Sequence, residues 1–286
     1  MTAFGVAASE MLEHAYRLLG NLAPFALILM LLSIVVHRRD LRKVLLGLLP
    51  ASTRINLTAY MVDGLLILVP VSMAGQWMGR LFQNNGIVLP AWHESIPVVV
   101  VGVCAVFAGD FVGYFRHRLE HSTLLWPSHV LHHSDATMNW LTVYRFHPIN
   151  RLTTVVIDTC ALVALGFPAW AIALNNLVRH YYGVFVHINV PWTLGPFRHI
   201  LVSPAMHRWH HVRAGQGVGS NFSTVFSVFD RAFGTIYMPG PCDQPLGVEG
   251  VRDQSYVSQI LLPLTASWRW VFRSVDEGRE AVTPNH

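Results

Sequence analysis

Charge is scarce in this 286-residue chain: Asp, Glu, Lys and Arg make up only 13% of it, whereas 52% is hydrophobic. Soluble domains carry roughly 25% charged residues, so water is not its only solvent and a membrane protein is the leading class. The mean hydropathy of +0.40 agrees. Cysteine is just as sparse. Cys104, Cys160 and Cys242 form no CxxC pair, which argues against a disulfide framework and against thiolate metal ligation. There is also no Lys/Arg run interleaved with aromatics. The formal charge of +4 and pI near 9.2 therefore reflect membrane orientation and not a nucleic-acid partner. The N-terminus has no basic stretch ahead of a short apolar core, so no cleaved signal peptide is expected and the first span is expected to stay as an anchor. No internal repeat or low-complexity linker divides the chain.

Long apolar runs are what the sequence does have. A membrane-spanning helix needs about 20 mostly apolar residues, and segments near 17–36, 57–79 and 96–115 meet that requirement. The first ends at "HRRDLRK" (37–43), the densest positive loop, which the positive-inside rule assigns to the cytoplasm. The third span then delivers Arg116, His117 and Arg118 to the same side. A fourth apolar region, 152–174, is interrupted by "GFP" at 166–168 and resumes to about Val186, which predicts a helical hairpin. Its second arm carries Asn175, Asn176, Arg179 and His180 and is expected to face protein or headgroups. "ILLPLTASWRWVFR" (260–273) reads as an interfacial helix. Three stretches result: an N-terminal anchor with its basic loop (1–54), a central unit (55–240) and a C-terminal tail (241–286).

Sixteen histidines are present, and their spacing is the informative feature. His117 and His121 lie one helical turn apart on one face. "HVLHH" supplies His129, His132 and His133, and "HRWHH" repeats the pattern as His207, His210 and His211, with His187 alone at the end of the hairpin. These are too many donors for one four-coordinate ion, so two metal ions are the economical reading. Imidazole suits zinc, copper, iron and nickel alike, so the donors leave the element open. Asp110 lies inside the third span, two turns before His117, and is a candidate for orienting a histidine by a carboxylate–imidazole hydrogen bond. A helix-packing hydrogen bond to a neighbouring span is the alternative.

The motifs "DFVGYFRHRLEH", "HVLHH", "RFHP", "HIN", "SPAMHRWHH" and "NFS…FDRAFGT" follow one another between Asp110 and Thr235. In that order the chain resembles the fatty acid hydroxylase/sterol desaturase superfamily of integral-membrane di-iron oxygenases. The stretch "HHSDATMNWLTVYRFHP" is more similar to its bacterial and alkylglycerol-monooxygenase-like branch than to the eukaryotic sterol or ceramide enzymes. The resemblance implies an all-α protein with about four transmembrane helices under a cytosolic helical cap. It assigns ligand roles to His117, His121, His129, His132, His133, His187, His207, His210 and His211. Gly183 stands four residues before His187, which leaves His147, His180 or water as the tenth ligand. Asp110, Asn221 and Asp230 are candidates for supporting positions around the ligands, with Ser203 and Pro204 read as architecture. "NFS" in place of Asn-aromatic-Gly and Phe229 in place of Trp are departures at the level of packing.

The implied activity is hydroxylation or desaturation of a lipid C–H bond, with two iron ions and O2. Electrons come from a separate transfer protein, because no flavin- or haem-binding segment is visible. The implied location is a bacterial inner membrane, multi-pass, with the active site cytoplasmic. Two other classes are weaker. A zinc-dependent hydrolase would carry HExxH, whereas "HRLEH" places Glu120 at another offset. A metal transporter would set its ligands at mid-bilayer, whereas these clusters follow the spans.

Overall fold

A computed structural model describes residues 51–251 and 254–266, together with residues 20, 24, 27, 28, 31 and 35. The expected first span and basic loop fall almost entirely outside these residues, as does 267–273 of the expected interfacial helix. Among the described residues the fold is all-helical, with two isolated β-bridges and no strand.

Helix α1 (Ala51–Val62) passes through a π-helical turn (Asp63–Ile67) into α2 (Leu68–Asn84), and α3 covers Val98–Glu120. Ser52–Asn84 (33 residues) and Val98–Glu120 (23 residues) are long and apolar enough to cross a membrane. At 1.5 Å per residue they reach roughly 50 and 35 Å, against a hydrocarbon core of about 30 Å. Then come α4 (Trp126–His133), α5 (Pro148–Thr153), a π-helical turn (Thr154–Thr159), α6 (Cys160–Ala164) and α7 (Ala169–His187). The break between α6 and α7 is the expected hairpin turn. Gly166 takes a positive φ of 73° there, close against the Leu89 carbonyl. Short helices α8 (Pro204–His210) and α9 (Val228–Ala232) follow, then α10 (Tyr256–Ile260) and α11 (Leu262–Thr265). The described part of the 260–273 segment is thus not one helix. Leu262 is buried in a cluster with Trp126 and Val130, while Leu264 is 83% exposed.

Helices α3 and α7 form the closest pair, because small residues line the facing side of α3. A methyl group added at Gly109 would lie 2.1 Å from Asn175 Oδ1, and one added at Gly113 would lie 1.9 Å from an Arg179 guanidinium nitrogen. The Gly113 gap lets Arg179 lie across α3. There its Nη1 donates to Asp158 Oδ2 at 2.7 Å and its Nε sits 3.3 Å from Asp110 Oδ1. Arg116 donates from Nε to the other oxygen of Asp158 at 2.9 Å and from Nη1 to Glu120 at 2.8 Å. Three carboxylates and two guanidinium groups therefore form one buried chain along α3.

Such a chain tolerates no missing member, since breaking a buried ion pair costs about 3–5 kcal/mol. Gly113→Ala is expected to displace Arg179 and lower stability by that order, read as a fall in unfolding temperature in detergent. Gly79→Ala is the control: its added methyl would meet only Val163 at 3.9 Å, and helical Gly→Ala gains up to about 1 kcal/mol. Equal behaviour of the two variants would contradict the packing argument.

Candidate metal centre

Helical periodicity sorts the histidines into two groups that cut across the sequence motifs. In α4, His129 and His133 share one face and His132 points away from it. In α8 and its C-cap, His207 and His211 share a face and His210 points away. The pair from α4 joins His117, His121 and His210, and the pair from α8 joins His132 and His187. Within each group every residue offers a ring nitrogen within 4.8 Å of the others. All nine predicted histidines are in one group or the other. The groups touch where His133 and His211 stack at 4.4 Å between ring centres.

One of the closest contacts joins two nitrogens that cannot hydrogen-bond to each other. His117 Nδ1 donates to the Phe222 carbonyl at 2.7 Å and His210 Nδ1 donates to the Ser220 carbonyl at 2.6 Å. With the protons held there, their Nε2 atoms carry lone pairs, yet these lie 3.0 Å apart. At His187, Nδ1 donates to the Gly183 carbonyl at 2.6 Å, and Nε2, left with its lone pair, lies 3.2 Å from His132 Nε2 and 3.1 Å from His207 Nε2. His121 Nε2 is buried without a partner. Lone pairs at such distances repel unless a cation lies between them. Metal–imidazole bonds of about 2.0–2.1 Å give donor–donor edges of roughly 2.9–3.4 Å, which is the spacing seen.

Electrostatics favours the neutral, ligating form. Burial, reinforced by neighbouring imidazoles, pushes His129, His132, His133, His207 and His211 well below the ordinary histidine range. His210 is pushed down to about 4 by burial, against a partly compensating hydrogen bond to Ser220. A neutral imidazole is what a metal ion requires.

The loop whose Phe222 carbonyl orients His117 is itself positioned by carboxylates. Asp230 accepts from the Phe222 and Ser223 amides at 2.7 and 3.0 Å and from the Thr235 hydroxyl at 2.7 Å. Asp110 accepts from the Thr224, Val225 and Phe226 amides at 3.3, 3.0 and 2.8 Å. The direct Asp110–histidine hydrogen bond is therefore corrected: Asp110 fixes the loop whose Phe222 carbonyl holds His117. Asn221 takes a left-handed φ of 58°, and its side chain donates to the Met206 and Tyr237 carbonyls at 2.9 and 2.6 Å. It ties the same loop to α8. The candidates for a tenth ligand lie outside both groups. His147 caps α5, accepting from the Ile149 amide at 3.0 Å and donating to the Ile260 carbonyl at 2.9 Å. His180 lies 3.4 Å from the Tyr144 hydroxyl.

Several supporting residues were not singled out by the sequence reading. Glu120 Oε2 lies 3.4 Å from His129 Nδ1, which links the buried charge chain of α3 to the first group. Asp135, directly after the "HHS" of α4, accepts from Asn56 at 2.9 Å, from Thr142 at 2.6 Å and from Ser52. Burial raises its pKa, but Arg145 and these donors outweigh burial and hold the carboxyl well below the usual range. Arg145, 1% exposed, donates to Asn56 at 2.6 Å and to Ser134 at 2.8 Å, so α1 is bolted to the end of α4. A lone acid in an apolar run, such as Asp158, was the signal available for this set.

Comparison with known proteins follows the same outline. A fatty acid hydroxylase family model matches residues 102–235. An ornithine lipid hydroxylase from Rhizobium tropici is 28% identical over 62% of this chain and 54% of its own length. Alkylglycerol monooxygenases are also similar: that of Caenorhabditis elegans is 26% identical over 58% of this chain and 32% of its own length, and that of Homo sapiens is 31% identical over 44% and 28%. The chain thus spans about half or less of these relatives. No solved structure matches it. The segment similar to the fatty acid hydroxylase family contains every histidine of both groups.

Proposed function

We propose that the protein is a multi-pass membrane di-iron oxygenase that hydroxylates, or desaturates, a C–H bond of a membrane lipid. The observation that carries the reading is the gathering of nine imidazoles, eight of them buried and His121 half-buried, from four helices into two adjoining groups whose ring nitrogens face one another. His117, His121, His129, His133 and His210 would hold one iron, and His132, His187, His207 and His211 the other. The ions, when bound, supply oxygen activation and the oxidising power for C–H cleavage. The relatives are named for ornithine lipid hydroxylation and alkylglycerol monooxygenation, which favours a lipid as the substrate. Electrons come from a separate donor.

The protein's own part is orientation and exclusion of water. Carbonyls of Phe222, Ser220 and Gly183 hold three rings by their Nδ1 protons, and this holding orients the donors. Burial keeps bulk water from the centre. Along α3 the residues Val103, Phe107, Phe111, Phe115 and Leu119 recur every fourth position and are all at least 40% exposed. They make an apolar stripe ending beside His117 and His121. An apolar cavity of about 430 Å³, lined by Leu89, Val103, Cys104, Phe107 and Phe226 among others, opens on the same side. In this reading about four helices cross the bilayer, the hairpin of α5–α7 among them, residues 55–240 form the catalytic unit, and the cap faces the cytoplasm by the positive loop at 37–43. An acyl chain then lies along the α3 stripe with its reactive carbon at the cap.

Purified protein is expected to hold about two iron ions per chain by elemental analysis. His121→Ala and His187→Ala should each lose about one ion while retaining the other. Loss of none in either variant would contradict the assignment. The pH dependence has a definite sign. Unfolded or metal-free histidines bind protons near pH 6.5, and the folded His210 does so at about 4. Metal retention and folded stability are therefore expected to be complete above about pH 6.5 and to fall as the pH drops toward 4. Activity is tested by oxygen uptake with a reconstituted electron donor and a lipid extract, and by mass spectrometry for lipids gaining one oxygen or losing two hydrogens. No uptake with any lipid extract would sink the oxygenase reading.

A further inference from the structure

Residues 195–200, "GPFRHI", form a short 3₁₀ turn in which every residue is exposed, Phe197 by 67% and Ile200 by 55%. Leaving two large apolar side chains in water is costly, and exposed apolar groups rimmed by polar ones mark interaction surfaces. The turn is fastened to α9. The Arg198 carbonyl accepts from the Ser227 hydroxyl at 2.8 Å and from Arg231 Nη2 at 3.3 Å, and the Ile200 carbonyl accepts from the Ser227 amide at 2.9 Å. Phe233, 42% exposed, follows α9 and packs on α3, with its ring 5.0 Å from Phe115 and 5.3 Å from Tyr114. Through α9 the turn is therefore joined to Phe233 and the apolar stripe of α3.

Depth and charge agree on the occupant. Phe115 lies five residues before the end of α3, roughly 7–8 Å along the axis, which matches the 5–10 Å immersion of interfacial helices. Arg198 and Arg231 are exposed at the patch. From Thr159 to Cys242 the sequence contains a single acidic residue, Asp230, and it is 0% exposed. The surface is thus cationic and apolar together, the pairing that suits an anionic phospholipid face.

We propose that Phe197, Ile200 and Phe233 insert into the headgroup region of the bilayer while Arg198 and Arg231 bind the phosphates of anionic lipids, seating the cap on the membrane. This rests on the reading of α3 as a transmembrane helix. The seat places the histidine groups beside the leaflet from which an acyl chain would be drawn.

The test uses the full chain in nanodiscs, with Cys104→Ser, Cys160→Ala and Cys242→Ser as background. A polarity-sensitive fluorophore is attached at Phe197→Cys or Ile200→Cys, with Val103→Cys on the α3 stripe and exposed Gln216→Cys as references. Quenching by brominated lipids and by aqueous iodide is measured in phosphatidylglycerol and phosphatidylcholine discs and in detergent. Labels at 197 and 200 should be shielded from iodide and quenched by shallow brominated lipid, most strongly with phosphatidylglycerol. Arg198→Gln and Arg231→Gln should each raise the phosphatidylglycerol fraction for half-maximal shielding roughly five-fold, the equivalent of about 1 kcal/mol per cation at an anionic surface. Labels as open to iodide as the one at 216 would overturn the proposal. So would shielding from iodide without quenching by brominated lipid, which would signify a protein contact. A label at 103 that is open to iodide would instead overturn the transmembrane reading beneath it.

Discussion

Neutral imidazoles that face one another through their lone pairs are the constraint on which the rest of this structure depends. Nine rings, eight of them buried, stand at a few ångströms' separation, and the Nδ1 protons of His117, His187 and His210 are already committed to carbonyls. Between His117 and His210, whose Nδ1 protons are both committed, no hydrogen bond relieves the repulsion. A fold that holds them together must therefore derive the necessary free energy elsewhere or from cations between them, since buried polar groups without partners are costly. A metal ion bound among these rings would couple its binding to folding for that reason.

The surrounding architecture supplies rigidity in two ways. One is the buried charge chain from Asp110 through Arg179, Asp158 and Arg116 to Glu120, made possible by glycines on α3 that admit Arg179. The other is the Asp135–Arg145 network, which joins α1 to the end of α4. Each network ends next to histidines: Glu120 beside His129, and Asp135 two residues after His133. Charged groups in an apolar protein cannot be left singly, and each carboxylate of these networks has a guanidinium partner, which makes them precise supports. The two groups of histidines are also unequal. The first has five donors and an adjoining carboxylate, whereas the second has four donors, because Gly183 occupies the place one turn before His187.

Much of this was legible in the residues. One-turn spacings announced that His117/His121, His129/His133 and His207/His211 would act as pairs, and the count of donors pointed to more than one group. The Gly-Phe-Pro break announced the hairpin. What misled was proximity in sequence. Asp110 stands on the same helix as His117, yet it reaches the loop at 224–226, because that loop presents three free amides and the histidine's Nδ1 is taken by Phe222. His147 and His180 were plausible ligands by type, but each is spent on a cap or a tyrosine on another helix. Asn221 and Asp230 proved to act on backbone geometry.

The sequence alone determined the solvent class, the helical character, the pairing of histidines by helical period and the superfamily motifs, because each follows from local composition or from spacing along one helix. Tertiary structure decided which pair meets which single histidine, splitting "HVLHH" and "HRWHH" between two groups, and which carboxylate supports which loop. Those outcomes depend on the angle and register at which helices cross. Register is set by close contacts such as Gly113 with Arg179, between residues 66 positions apart, which no local pattern encodes.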